Sequence, residues 1–326
     1  MTKAKKVGTR LSFSESLTVG ASIFLALMIL KSPTLTGGAV RDALHYCASL
    51  LIPSLFPLMV ASELALECGA AELITRPLQR SFGKLLGMDK DSLSPYFLGL
   101  LGGFTASVRG AIRLYNDGRL TKTDCERLIA LSNIPSLAFI VGFVGNNILN
   151  STVEGWCLWG ICVMSTLIIG ALTKDKRKRI ATNEHFGTPS MTDKTRGSFS
   201  KMLVDSISHS ATSMIMICAC VVFFSTLIEC LSEYLGNIPI GETAKTLMLG
   251  SLEMTRGILL CKDISSPFFK TVLASFFLGW SGLCVHAQVI ALCDRTDLSF
   301  KKYFIIKLLQ GFLCALLSTA IFSIIK

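Results

Sequence analysis

Charge is scarce in this chain. Only 17% of its 326 residues are Asp, Glu, Lys or Arg, where a soluble domain carries roughly 25%. Hydrophobic residues make up 51%, and mean hydropathy is +0.57. This shortage excludes an ordinary soluble domain. No HExxH, GxSxG or Walker A sequence occurs, and no paired carboxylates sit inside an apolar run. Metalloprotease, serine-hydrolase and ATP-driven chemistry therefore drop out. The chain reads as a non-enzyme that needs no cofactor and no metal. None of the twelve cysteines forms a CxxC pair, and Cys218 and Cys220 point to different helix faces, so neither a disulfide framework nor a zinc site is indicated. Inside apolar segments, cysteine serves as a small residue that lets helices approach.

What is present are apolar stretches of the length that crosses a bilayer. They are continuous rather than alternating, which excludes a β-barrel. The pattern predicts an all-α polytopic membrane protein with spans over 14–31, 42–67, 94–115, 124–149, 153–173, 203–235, 268–292 and 301–325. Two shorter stretches, 71–88 and 243–262, are amphipathic or broken and predict interfacial or re-entrant elements. The net charge of +10 sits mainly between the apolar stretches. There it signals topology and contact with anionic lipids, not nucleic acid.

The organisation expected is a basic segment and first helix over 1–38, a first repeat with a connecting helix over 39–173, a basic cytoplasmic linker over 174–201, and a second repeat over 202–326. The first helix reads as retained rather than as a signal peptide, because no small-x-small cleavage site follows it. Two repeats are expected because three stretches match in order. Asp42–Ser49 lines up with Asp205–Thr212, 101–114 with 278–291, and 117–122 with 295–300. Thr121 and Ser299 both read as hydroxyl N-caps. Lys3, Lys5, Lys6 and Arg10 place the N-terminus inside, as the linker should be. An even number of crossings must then separate them, so either 71–88 crosses or one counted span is re-entrant. In both cases 42–67 and 203–235 run in opposite directions, as inverted repeats do.

Glycine and proline mark where spans would break. The stretch LGGFTASVRG carries Gly102, Gly103 and Thr105, with Arg109 just beyond. Its partner LGWSGLCVHAQ carries Gly282, His286 and Gln288. Glycine frees the backbone to unwind, and an ionisable side chain beside it should face a cavity or a partner. Alternatively, these glycines only permit close helix packing. The stretch GSLEMTRG places Glu253, Thr255 and Arg256 between glycines, where they either meet a ligand or neutralise one another. In LSNIPS, Asn133 stands beside Pro135 at a kink that could turn it inward. Glu63 is either cavity-facing or interfacial.

These motifs carry a family resemblance. The stretch GWSGLCVHAQVIALCDRTDLSFKKY (279–303) closely resembles the signature G-x-x-G-L-x-V-H-x-Q-V…TDLS of the sporulation integral membrane protein YlbJ (SpoVV) family. That family lies in the nucleoside-recognition or Gate-domain class. The region 98–142 resembles the family's first-half core in order and spacing, and the resemblance covers most of 40–325. The chain departs from it at 102–109, where the family has a Ser-Gly-Tyr-Pro-like turn and Gly-Ala-Lys. It departs again at 133–137, where the family has Asn-Asn-Ser-Gly-Pro. The resemblance implies a fold related to concentrative nucleoside transporters, in an endospore-forming bacterium. It also implies movement of dipicolinic acid across the outer forespore membrane. Dipicolinate is a flat dianion, and Arg109, Arg256, helix N-termini, His286 and Gln288 form a set able to receive two carboxylates. A nucleoside or nucleobase permease, or a non-transporting assembly protein docking through 174–201, are the alternatives. A coupling cation and a homo-oligomer stay open.

Overall fold

Helix is the only regular structure among the described residues, 13–174, 198–236 and 238–325 of this computed structural model. In lipid a helix satisfies its backbone within itself, which an open strand cannot do. The N-terminal lysines and nearly all of the basic linker lie outside the described residues.

The chain opens with α1 (Phe13–Lys31) and α2 (Pro33–Tyr46). The latter runs through a π-turn into α3 (Ile52–Glu67). Two short helices follow, α4 (Ala70–Thr75) and α5 (Gln79–Leu86), neither long enough to cross a bilayer. They leave Leu73, Ile74 and Leu85 exposed beside Arg76 and Lys84, as an interfacial segment would. Next come α6 (Lys90–Gly102) and α7 (Phe104–Asn116). These do not form the single span expected over 94–115. Gly103 adopts φ +92°, which only glycine takes freely, and the chain reverses there. A Cβ on Gly99 would lie 2.9 Å from the Ser107 Cβ, and one on Gly110 would lie 3.0 Å from the Pro95 ring. Those pairings make α6 and α7 an antiparallel hairpin.

Helix α8 (Lys122–Ser132) starts at Thr121, whose side chain accepts the Asp124 amide as expected. It stops at Ser132 rather than kinking at Pro135. A residue before proline is driven out of the helical region, so residues 133–136 leave the helix, with Ile134 N–H donating to Ser132 O at 3.0 Å across Asn133, before a π-helical segment (Ala138–Ile148). That segment packs on α9 (Thr152–Leu172). Beyond the linker lie α10 (Phe199–Leu235), the pair α11 (Glu242–Gly250) and α12 (Met254–Leu260), then α13 (Pro267–Trp280), α14 (Gly282–Leu292) and α15 (Lys301–Ile325). α11 and α12 form a second hairpin, because a Cβ on Gly250 would lie 2.7 Å from the Gly257 Cα. Between α13 and α14, Ser281 and Gly282 take φ of +74° and +79° in succession, which interrupts the helix without folding it back. Among the described residues, five stretches are long and apolar enough to cross a membrane: Pro33–Glu67, Thr152–Leu172, Phe199–Leu235, Pro267–Leu292 and Lys301–Ile324.

Polar ties mark the two ends of this bundle. At one end the Tyr115 hydroxyl donates to Asp297 at 2.6 Å and the Lys122 ammonium at 2.9 Å. These donors hold the Asp297 carboxyl below its usual range. The Ser299 amide donates to Glu126 at the same end. At the other end Lys31 donates to Tyr234, Ser32 to Glu233, and Thr271 to Glu154.

Glycine also sets how closely the π-segment meets α9. A Cβ at Gly155 would lie 3.0 Å from the Gly145 Cα and from the Val141 Cα, so only hydrogen fits. Gly155→Leu should therefore destabilise the protein by about 2–3 kcal/mol through overpacking, and Gly155→Ala by clearly less. Thermal unfolding of the detergent-purified variants reads this difference; equal melting temperatures would mean that the contact is not tight.

Candidate functional site

Four interruptions meet inside the bundle. They are the turn of the first hairpin at 102–104, the non-helical piece 133–136, the turn of the second hairpin at 251–253, and the break at 281–282. They surround a cavity that is partly open to the outside. Gly102, Gly103 and Thr105 line it from the first hairpin, and Asn133 and Ser136 from the non-helical piece. Glu253 and Thr255 come from the second hairpin, and Ser281 and Gln288 from the broken helix. Leu55 and Met59 of α3 and Ile217 and Val221 of α10 close it with apolar surface.

Each interruption has a local cause and a local remedy. At the second hairpin the Glu253 carboxylate caps α12, accepting the amides of Thr255 at 2.9 Å and Arg256 at 2.6 Å. At the broken helix the first amides of α14 are satisfied by the neighbouring hairpin. Leu283 N–H donates to Ser251 O at 3.0 Å and Cys284 N–H to Leu252 O at 2.8 Å. A Cβ on Gly282 would lie 2.9 Å from the Met254 amide, which explains the glycine there. Of the three helices that begin at the cavity, α7 alone starts with neither a side-chain cap nor such a carbonyl. Two buried polar atoms of lining residues have no partner, Asn133 Oδ1 and Ser281 Oγ.

No family model matches the chain, and no solved structure matches it. Among curated proteins it is similar to the sporulation integral membrane protein YlbJ of Bacillus subtilis (strain 168). The two are 24% identical over 322 aligned residues, covering 89% of this chain and 78% of that protein. The chain is similar to YlbJ along most of its length. The relative's description and the apolar helices agree that this is an integral membrane protein. The resemblance to the YlbJ family therefore holds over most of the chain, beyond the signature at 279–303 that carried it.

Not every residue singled out from the YlbJ-like motifs reaches the cavity. Arg109 stands apart, because its guanidinium meets Glu63 at 3.3 Å, the His209 carbonyl at 3.1 Å and the Ser213 hydroxyl at 2.5 Å. Arg256 does not pair with Glu253 as its nearness in sequence suggested. It reaches Glu229 on α10 at 2.7 Å, because the Glu253 carboxylate is held by backbone amides. His286 lies behind the wall, edge-on to Trp280 and hydrogen-bonded through Nδ1 to the Tyr303 hydroxyl at 2.8 Å. Gly282 acts as packing under the second hairpin rather than as lining.

Sequence reasoning predicted the span over 301–325 but singled out no site residue on α15. Tyr303 accepts from Asn133 Nδ2 at 2.5 Å, and Lys307 donates to the Asn133 carbonyl at 2.5 Å. Both side chains are buried. The signal available was a lysine inside an otherwise apolar run, KKYFIIKLLQG (301–311).

Proposed function

We propose that the chain is a transporter or facilitator for a small organic anion, taken up in the cavity where the four interruptions meet. The observation that carries the reading is this convergence. Thr105, Asn133, Glu253 and Gln288, from both sides of the linker, line one space at interrupted helices. Transporters of duplicated architecture place their substrates at such breaks. Dipicolinate is the anion implied by the YlbJ family, and its two carboxylates suit the uncapped start of α7 together with the hydroxyls of Thr105 and Ser281. The outer forespore membrane is the location that this reading assigns.

The order of elements supports two repeats. A long helical stretch, a hairpin, an interrupted helix and a continuous helix occur as α2–α3, α6/α7, α8 with the π-segment, and α9. They recur as α10, α11/α12, α13/α14 and α15. In this register the first hairpin corresponds to the second hairpin, not to 278–291, so Arg109 and His286 are not equivalents. With the first hairpin re-entrant, α1, α2–α3, α8 with its π-segment, and α9 cross before the linker. Their even number puts the N-terminus and the linker on one side. Arg76, Lys84, Arg119, Lys122 and Arg127 gather at that same end, which supports its being cytoplasmic. α2–α3 and α10 then run in opposite directions.

The test is uptake of labelled dipicolinate by proteoliposomes of the purified protein, with adenosine and a monocarboxylate as competitors. Saturable uptake competed by dicarboxylates alone is the expected result. Uptake of labelled adenosine in its place would make the protein a nucleoside permease. Uptake of neither by folded protein would favour an assembly role.

A further inference from the structure

An anion site needs positive charge, and the two expected guanidinium groups are engaged by Glu63 and Glu229. Lys307 remains. It is 0% exposed, two turns into α15, and its ammonium donates to the Asn133 carbonyl at 2.5 Å and to Gln310 Oε1 at 2.7 Å. Both acceptors are uncharged. No carboxylate among the described residues pairs with it. A buried ammonium without a counter-ion is expensive, and a neutral donor would cap the Asn133 carbonyl as well. The charge sits directly behind the cavity wall. Asn133 turns its carbonyl back to Lys307 and is itself a lining residue whose Oδ1 has no partner. The break across the cavity supplies a second such atom, Ser281 Oγ.

We infer that Lys307 sets the charge preference of the cavity, a buried amine whose protonated form is balanced by the transported anion. This rests on the transporter reading and adds which residue sets its charge preference. Lys307 is a positioning residue. It does not touch the ligand; it orients Asn133 and raises the local potential so that a carboxylate is favoured over a neutral group of the same shape.

Three ligands of one shape test this: dipicolinate, picolinate, and the neutral diamide of dipicolinic acid. Initial uptake rates are measured in proteoliposomes of the wild type, Lys307→Met and Lys307→Arg. The wild type should rank dianion above monoanion above diamide. Lys307→Met should lose dipicolinate uptake by about tenfold or more while diamide uptake stays within roughly twofold, and Lys307→Arg should keep the wild-type order. If Lys307→Met does not survive purification, Lys307→Gln, which can still donate to the Asn133 carbonyl, carries the same expectation. A parallel fall for all three ligands would make Lys307 a helix cap only. An unchanged order in the methionine variant would equally overturn the inference while leaving the transporter reading intact. A wild type that moves none of the three would overturn that reading, and the inference with it.

Discussion

Glu63→Met should cause one of the largest losses of stability available in this molecule, about 3 kcal/mol, because it leaves the half-buried Arg109 guanidinium without its carboxylate. The Glu63 side chain is only 7% exposed and meets Arg109 at 3.3 Å. Arg109→Met should be comparably harmful, since it leaves the carboxylate without its cation. The double variant Glu63→Met/Arg109→Met should recover most of the loss, as replacement of a whole buried pair by apolar side chains often does. Thermal unfolding of the four proteins in one detergent reads the cycle. Suppose the single variants unfold like the wild type, and Arg109→Met abolishes dipicolinate uptake where Glu63→Met does not. Arg109 would then belong to the substrate, as its motif first suggested.

Asn133→Leu should lower dipicolinate uptake by about tenfold or more while leaving most of the fold in place. Its amide nitrogen serves Tyr303, which keeps His286 as a second partner, and its side-chain oxygen has no partner. The leucine thus removes the unpaired polar atom of a lining residue without orphaning Tyr303. Ser281→Ala, which deletes the other unpaired lining group, should act in the same direction more weakly. Uptake by Asn133→Leu at the wild-type rate, from protein with a normal melting temperature, would remove this wall of the cavity from the site.

The sequence revealed where helices would break, because the causes are local. Gly103, Pro135 and the Ser281–Gly282 pair act through their own backbone angles or those of the preceding residue. It also revealed a membrane protein, because hydropathy depends on composition. The first hairpin was mistaken for a span because two helices of 13 residues add up to a crossing length, with a single glycine reversing the chain between them. The register expected from residue identities sets 101–114, in the first hairpin, against 278–291, in the interrupted helix, whereas the proposed register follows the order of elements. What lay furthest out of reach was partner choice. Glu63 and Arg109 were each noticed separately, but 46 positions separate them. Lys307 and Asn133 lie 174 apart, and their contact exists only once α15 packs behind the break. Two turns into an apolar helix, Lys307 looks like a side chain that snorkels to the interface, until its burial is known.

Whether this cavity holds the anion can be asked without knowing the coupling ion or the direction of transport. Isothermal titration of dipicolinate into the detergent-purified protein, beside Asn133→Leu, measures it directly. One saturable site in the wild type, lost or much weakened in the variant and not displaced by adenosine, is the predicted result. No binding of dipicolinate to folded wild type, or equal affinity in the two proteins, would contradict an anion site at the meeting point of the four interruptions.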